Sequence, residues 1–293
     1  MSNTKYINPM LDWSFKKIFG TDPNKDLLIA FLNEVFKGRK NIVDLVYNKN
    51  EHHGNNKKEG SAIFDLLCTG DRGEKFLIEV QNAKPVNFKK RAVFYTSRLI
   101  SEQAPKGEMD TWKYDITEVY FVAILEKSLE VQERYFRDIC LCDRDTGEIF
   151  YDELGYTFIE LSKRRSPHEN KNNNKQHEYF VKTSNELESE LDKWLYSLKH
   201  LSDMDDMPPH LRKTIFEKLY NIADYTKMTK EEQDIYDQEL KRKWDNEAVR
   251  EQSFLDGEEK KAREIAQSLK KMGLSNEQIS EATGLSADEI NAL

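Results

Sequence analysis

Cysteine is scarce, with three in 293 residues: Cys68, Cys140 and Cys142. An odd count without framework spacing excludes a disulfide-stapled fold and suits a reducing compartment with free thiols. Cys140 and Cys142 form C-x-C, but the further cysteines or histidines of a zinc site are missing, so core packing is expected for them. No apolar run approaches the ~18 residues of a membrane span. The start, MSNTKYINPMLDW, has no basic segment followed by an apolar one. The expectation is a soluble, cytoplasmic protein without membrane contact. No internal repeat is present.

Apolar residues make up 38% and charged residues 33%, a polar but not disordered composition, and the length allows two domains at about 100 to 200 residues each. The net charge of −8 taken whole argues against a nucleic-acid partner, yet the charges of Met1 to Glu178 sum to zero. Tyr179 to Leu293 carries the whole excess, so the acidic half is the C-terminal one.

Two short helices are expected first: DWSFKKIFG, ending on Gly20, and LLIAFLNEVFKG, started by Asp22-Pro23 and ending at Gly38. IVDLVY from Ile42 reads as a strand, followed by a polar loop in which His52 and His53 are expected to be exposed. A hairpin over Phe64 to Asn82 follows, then a helix in VNFKKRAVFYTSRLISEQ and a buried strand from Ile116. RDICLCDRDTGEIFYDEL reads as a second hairpin turning at Asp145 to Gly147, and YTFIEL as a further strand. Strand, strand, helix, strand implies an α/β core with a crossover. Residues 163–178 lack aliphatic and aromatic side chains and read as a linker or loop. Beyond it the pattern is helical: residues 179–272, with Trp194, Tyr196, Phe216 and Tyr220 at core spacing, then residues 273–293. That last piece holds two capping boxes, Ser275 with Gln278 and Ser286 with Glu289, around TGLS, and resembles a helix-turn-helix.

The hairpin keeps two acids where strands usually have none. Centred near Arg72, it sets Asp65 opposite Glu79, with cross-strand neighbours roughly 5 Å apart. Alternation puts Asp65, Glu79 and Gln81 on one face, and Phe64, Leu66, Ile78 and Val80 on the other as core. Such a pair repels itself, so it is protonated, neutralised by cations, or bound to metal. Mg²⁺ uses one or two carboxylates, and the Val80 carbonyl can add a ligand. The plain reading is a surface hairpin paired to Lys or Arg. Lys84, Lys89, Lys90, Arg91 and Arg98 follow without an acid among them, interleaved with Phe88, Phe94 and Tyr95. Such a helix can hold a phosphate backbone, though charge runs commonly meet only water.

A strand Asp, a hairpin to acid-x-Gln and a basic helix resemble the core of PD-(D/E)XK nucleases. LDWSFKKIFG, EVQ and KKRAVFYTSRL are similar to the recombination-promoting nuclease (Rpn), or transposase-like, branch, over roughly Asn8 to Ser162, and GLSNEQISEATGLSADEI looks like tails attached to that family. The resemblance implies a restriction-endonuclease-like mixed β-sheet flanked by helices over residues 1–162, followed by the all-α region and its small tail. It implies an endonuclease acting on DNA, with Asp65 and Glu79 as ligands of Mg²⁺ or Mn²⁺. Gln81 stands where many members place a lysine, and its amide can orient the attacking water. Lys16 of the N-terminal motif joins the nucleic-acid contacts. Asp12 matches that motif's acid, as a further ligand or a contact to the metal's water, or it is simply a helix N-cap. A bacterial role in recombination or defence and a dimer are further implications. The tail, Leu274 to Leu293, has four acids and no Lys or Arg, so protein binding is expected of it rather than DNA reading. The rivals are a catalytically silent interaction or regulatory protein on the same fold, and a transposase-like DNA binder.

Overall fold

The most apolar stretch of the chain, Val119 to Leu125, is buried at every position and has a parallel neighbour on each side. Strands covered on both faces carry such unbroken apolar runs. The computed structural model describes residues 4–48, 51–52, 62–63, 65–83, 86–105, 112–129, 134–164, 178–179 and 182–293. Its main sheet comprises β1 (Leu45–Tyr47), β2 (Leu66–Gly70), β3 (Lys75–Gln81), β4 (Val119–Leu125), β5 (Phe136–Cys142) and β6 (Ile149–Glu160) in the order β1-β2-β3-β4-β6-β5. The pairs β3·β4 and β4·β6 are parallel and the rest antiparallel.

Three helices clothe this sheet: α1 (Asp12–Phe19), α2 (Lys25–Val35) and α3 (Phe88–Ser101). α3 makes the crossover between β3 and β4. Its Phe88, Ala92 and Leu99 pack on Leu67, Leu77, Phe121, Ala123 and Phe158 of one sheet face. On the opposite face Phe36 packs at a tilt against Phe76 and Tyr120, which stack on each other. α1 ends against β2 at Gly20, where an added Cβ would lie 2.7 Å from Leu66 Cδ2, so only glycine permits this approach.

The remaining helices are α4 (Glu190–His200), α5 (Thr214–Ala223), α6 (Lys230–Lys271), α7 (Asn276–Thr283) and α8 (Ala287–Asn291). The boundary expected at residues 163–178 does not separate two compact units. The first unit runs from Met1 to Tyr236 and the second from Asp237 to Leu293. The reason is that α4 and α5 complete the N-terminal core. Trp194 meets Phe19, Phe31 and Phe216 at ring separations of 6.1, 5.8 and 4.8 Å. The backbone amide of Ile7 donates to Ala223, and that of Tyr225 to Lys5. The second unit has its own small core, Ala266, Ile279, Leu285 and Ile290, with both expected capping boxes formed at Ser275 and Ser286.

Four further expectations are corrected. β1 covers only the last half of IVDLVY, and α2 stops at Val35, with Gly38 in a following turn at φ +82°. The second arm of the Asp145 to Gly147 hairpin and YTFIEL form one continuous strand, β6. Cys140 and Cys142 are half-buried and exposed on the edge strand β5, where shifts of register disturb the alternation, so neither joins the core. Residues 165–177, most of the expected linker, as well as His53, Phe64 and Lys84, lie outside the described residues.

Candidate metal and nucleic-acid site

The β2–β3 hairpin closes tightly, because Gly73 takes φ +90° and the Glu74 carboxylate accepts the Arg72 amide at 2.9 Å. Pairing then runs Thr69 with Lys75, Cys68 with Phe76, Leu67 with Leu77 and Leu66 with Ile78. The next rung is Asp65 opposite Glu79, the register expected from a turn centred at Arg72. That rung is closed by side chains rather than by the backbone ladder. Asp65 Oδ2 accepts the Val80 amide at 2.6 Å. The Lys75 amide donates to Glu118 and the Gln81 carbonyl accepts from Glu126, so odd-numbered β3 residues turn their peptide groups toward β4. Val80 therefore points its amide and its carbonyl to the β2 side, beside Asp65.

Asp65, Glu79 and Gln81 share the sheet face that carries Leu67 and Leu77. This face is not polar along its length. It is α3-covered core that turns polar only past Leu67 and Leu77, where the first turn of α3 crosses. Glu79 is only 3% exposed. Its Oε2 accepts from Arg91 Nη2 at 3.2 Å and from Gln81 Nε2 at 3.4 Å, while Oε1 is buried without a hydrogen-bond partner. Burial, then the charge of Asp65, pushes the Glu79 carboxyl up to about 8, with Arg91 opposing. Burial, with Asp12 adding, raises Asp65 to about 6 against the lowering effect of the Val80 amide.

Such a desolvated pair, only partly neutralised by Arg91, fits a hard divalent cation. It would place positive charge against both acids and give Oε1 the partner it lacks. Among the described residues no three or more His, Cys, Asp or Glu side chains gather as a metal site. The donors available are Asp65, Glu79 and the Val80 carbonyl, enough for an ion that keeps its waters.

Asp12 is the first residue of α1, and Leu11, not Asp12, is the N-cap. The Asp12 carboxylate is exposed and paired with Lys16 at 2.7 Å. Both side chains act on the pair by field, Asp12 raising Asp65 and Lys16 lowering it. The end of β3 is tied to this segment by Asn82, whose amide donates to the Met10 carbonyl at 2.6 Å. Nothing in the order of residues pointed to Asn82. On α3, Lys89 and Lys90 are exposed and Arg98 is half-buried. Arg91 turns inward to Glu79, its guanidinium 4.8 Å from the Phe88 ring centre and 5.8 Å from that of Tyr95. A place one turn into the helix after the acid-x-Gln strand is the only sequence signal for that inward role.

A family model described as PD-(D/E)XK nuclease family transposase matches residues 9–253. The chain belongs to this family. No curated protein and no solved structure matches it. As in other PD-(D/E)XK proteins, helices flank a mixed sheet, and the nucleases among them typically use divalent metals. The family match spans the carboxylate pair, α3 and the helices that complete the first unit, and it ends within α6, before α7 and α8. Among the described residues no helix is long and apolar enough to cross a membrane.

The pKa directions fix a pH dependence for the metal-free protein. Both folded pKa values lie above the ordinary 3.8 and 4.5, so between about pH 4 and pH 8 the folded state binds more protons than the unfolded chain. Stability from this pair is therefore present at low pH and lost as pH rises toward 8. Urea denaturation in EDTA at pH 5.5 and 8.5 is expected to show the decline, and in Glu79→Gln the slope should be shallower. An equal slope in both proteins would contradict it.

Proposed function

We propose that this family member is a divalent-metal-dependent DNA endonuclease that hydrolyses phosphodiester bonds. The observation that carries the reading is the Asp65–Glu79 rung, a buried Glu79 carboxylate with one oxygen unpartnered, set opposite the half-buried Asp65. Asp65, Glu79 and the Val80 carbonyl would hold the ion, Mg²⁺ or Mn²⁺. When bound it supplies Lewis-acid stabilisation of the phosphoryl charge. Gln81 orients the attacking water through its amide. Water adds to phosphorus, the bond to the leaving oxygen breaks, and that oxygen takes up a proton. Lys89 and Lys90 neutralise the flanking phosphates, and Arg91 holds the Glu79 carboxylate in place. Asp12 and Lys16 tune the pair from α1.

A role in recombination or defence in a bacterial cytoplasm, a dimeric state, and a protein-binding function for the acidic tail complete the proposal. Plasmid cleavage with Mg²⁺ tests its centre. The wild-type chain is expected to nick supercoiled DNA, and Asp65→Ala to lose at least about a hundredfold in rate. Equal nicking by both proteins would remove the assignment.

A further inference from the structure

The outer face of α3 is not the face of a plain phosphate binder. Val93 and Phe94, 52 and 48% exposed, lie one helical turn beyond the exposed Lys89 and Lys90 along one stripe, and Val86, 88% exposed, stands just before the helix. Intact duplex offers this stripe phosphates and groove edges but no base face, because the faces are stacked inside, so the exposed Phe94 ring would find no base to stack on. An unpaired base does present an apolar face, and aromatic side chains in cationic grooves are where such bases stack.

The stripe also leads to the carboxylates. Phe94 lies 6.2 Å from Tyr95, Tyr95 lies 5.8 Å from the Arg91 guanidinium, and Arg91 touches Glu79 at 3.2 Å. A second copy of the chain is a poor occupant. A two-fold contact sets a patch against itself, and from Lys84 to Arg98 there is no acid to answer Lys89 and Lys90.

We propose that this face binds single-stranded DNA, with an unpaired base stacked on Phe94 and the adjacent phosphates on Lys89 and Lys90. The inference rests on the nuclease reading and narrows its substrate to single-stranded or locally opened DNA.

Fluorescence anisotropy in EDTA tests it without cleavage, using labelled oligo-dT and a covalently closed duplex of equal length. The full-length protein is expected to prefer oligo-dT. Phe94→Ala should weaken oligo-dT binding about tenfold and leave duplex binding unchanged, while Phe94→Trp should restore it. Lys89→Gln with Lys90→Gln should weaken both probes. Equal binding of the two probes by the wild type, or equal effects of Phe94→Ala on both, would overturn the inference. So would a dimer that Phe94→Ala dissociates in sedimentation, which would make the stripe an interface. Metal-dependent nicking that Asp65→Ala abolishes would in each case leave the nuclease reading standing by itself.

Discussion

Glu79→Gln is expected to abolish divalent-ion binding and DNA cleavage while making the metal-free protein more stable at alkaline pH. Both effects have one source. In the wild type a carboxylate is buried beside Asp65 with Oε1 unpartnered, and ionising it above about pH 8 means charging a group that the fold desolvates. Glutamine fills the same space and can keep a contact to Gln81, but it brings no charge to a cation. It also leaves Arg91 facing an amide, a cost moderated because the Arg91 side chain is one-third exposed and Asp65 remains nearby. Removing the desolvated negative charge, which the amide cannot form, should outweigh that loss at pH 9 by about 1 kcal/mol or more. The gain should vanish below about pH 6, where Glu79 is already protonated. Calorimetric titration with Mn²⁺ reads the first effect, a lost site. Thermal denaturation in EDTA at pH 9 reads the second, a raised Tm. Unchanged Mn²⁺ affinity would end the two-carboxylate assignment.

The other large effect lies away from the site. Trp194→Ala is expected to cost about 3 to 5 kcal/mol, a large fraction of the 5 to 15 kcal/mol that typically separates folded from unfolded domains. The indole is 2% exposed and joins rings from α1, α2 and α5, so its loss opens a cavity that these rigid neighbours cannot close together. Trp244→Ala is the control. That residue is 50% exposed on α6 and its replacement should change stability by no more than about 0.5 kcal/mol. Equal losses in guanidinium denaturation would mean that α4 does not belong to the core of the first unit.

The site was legible to the extent that it is local. Asp65 and Glu79 are fourteen residues apart on one hairpin, and the turn fixes their register, so period-two alternation sufficed to put them opposite each other. Gln81 followed from the same alternation. Arg91 was legible as a cation but not as the partner of Glu79, because its direction depends on the angle at which α3 crosses the sheet. The role of Asp12 divided in the same way. Position along the chain offered a cap or a ligand, whereas the folded helix starts at Leu11 and leaves Asp12 exposed with Lys16. Cys140 misled because alternation assumes an undisturbed strand, and β5 shifts register there.

Element type and order, the hairpin register, the buried character of β4 and the two tail capping boxes were determined by the sequence itself. Each depends on neighbours within a few residues or on an unbroken apolar run. Only the tertiary structure decided that α4 and α5 belong with the N-terminal half. That union is made by aromatic rings from helices up to about two hundred residues apart, and no local pattern encodes which rings meet. It likewise decided that Glu79 is buried under α3 and Asp65 half-buried beside it, instead of both facing water. The same two carboxylates on an open hairpin would be ordinary surface charge; desolvation beneath a crossover helix is what raises both above the usual carboxylate range.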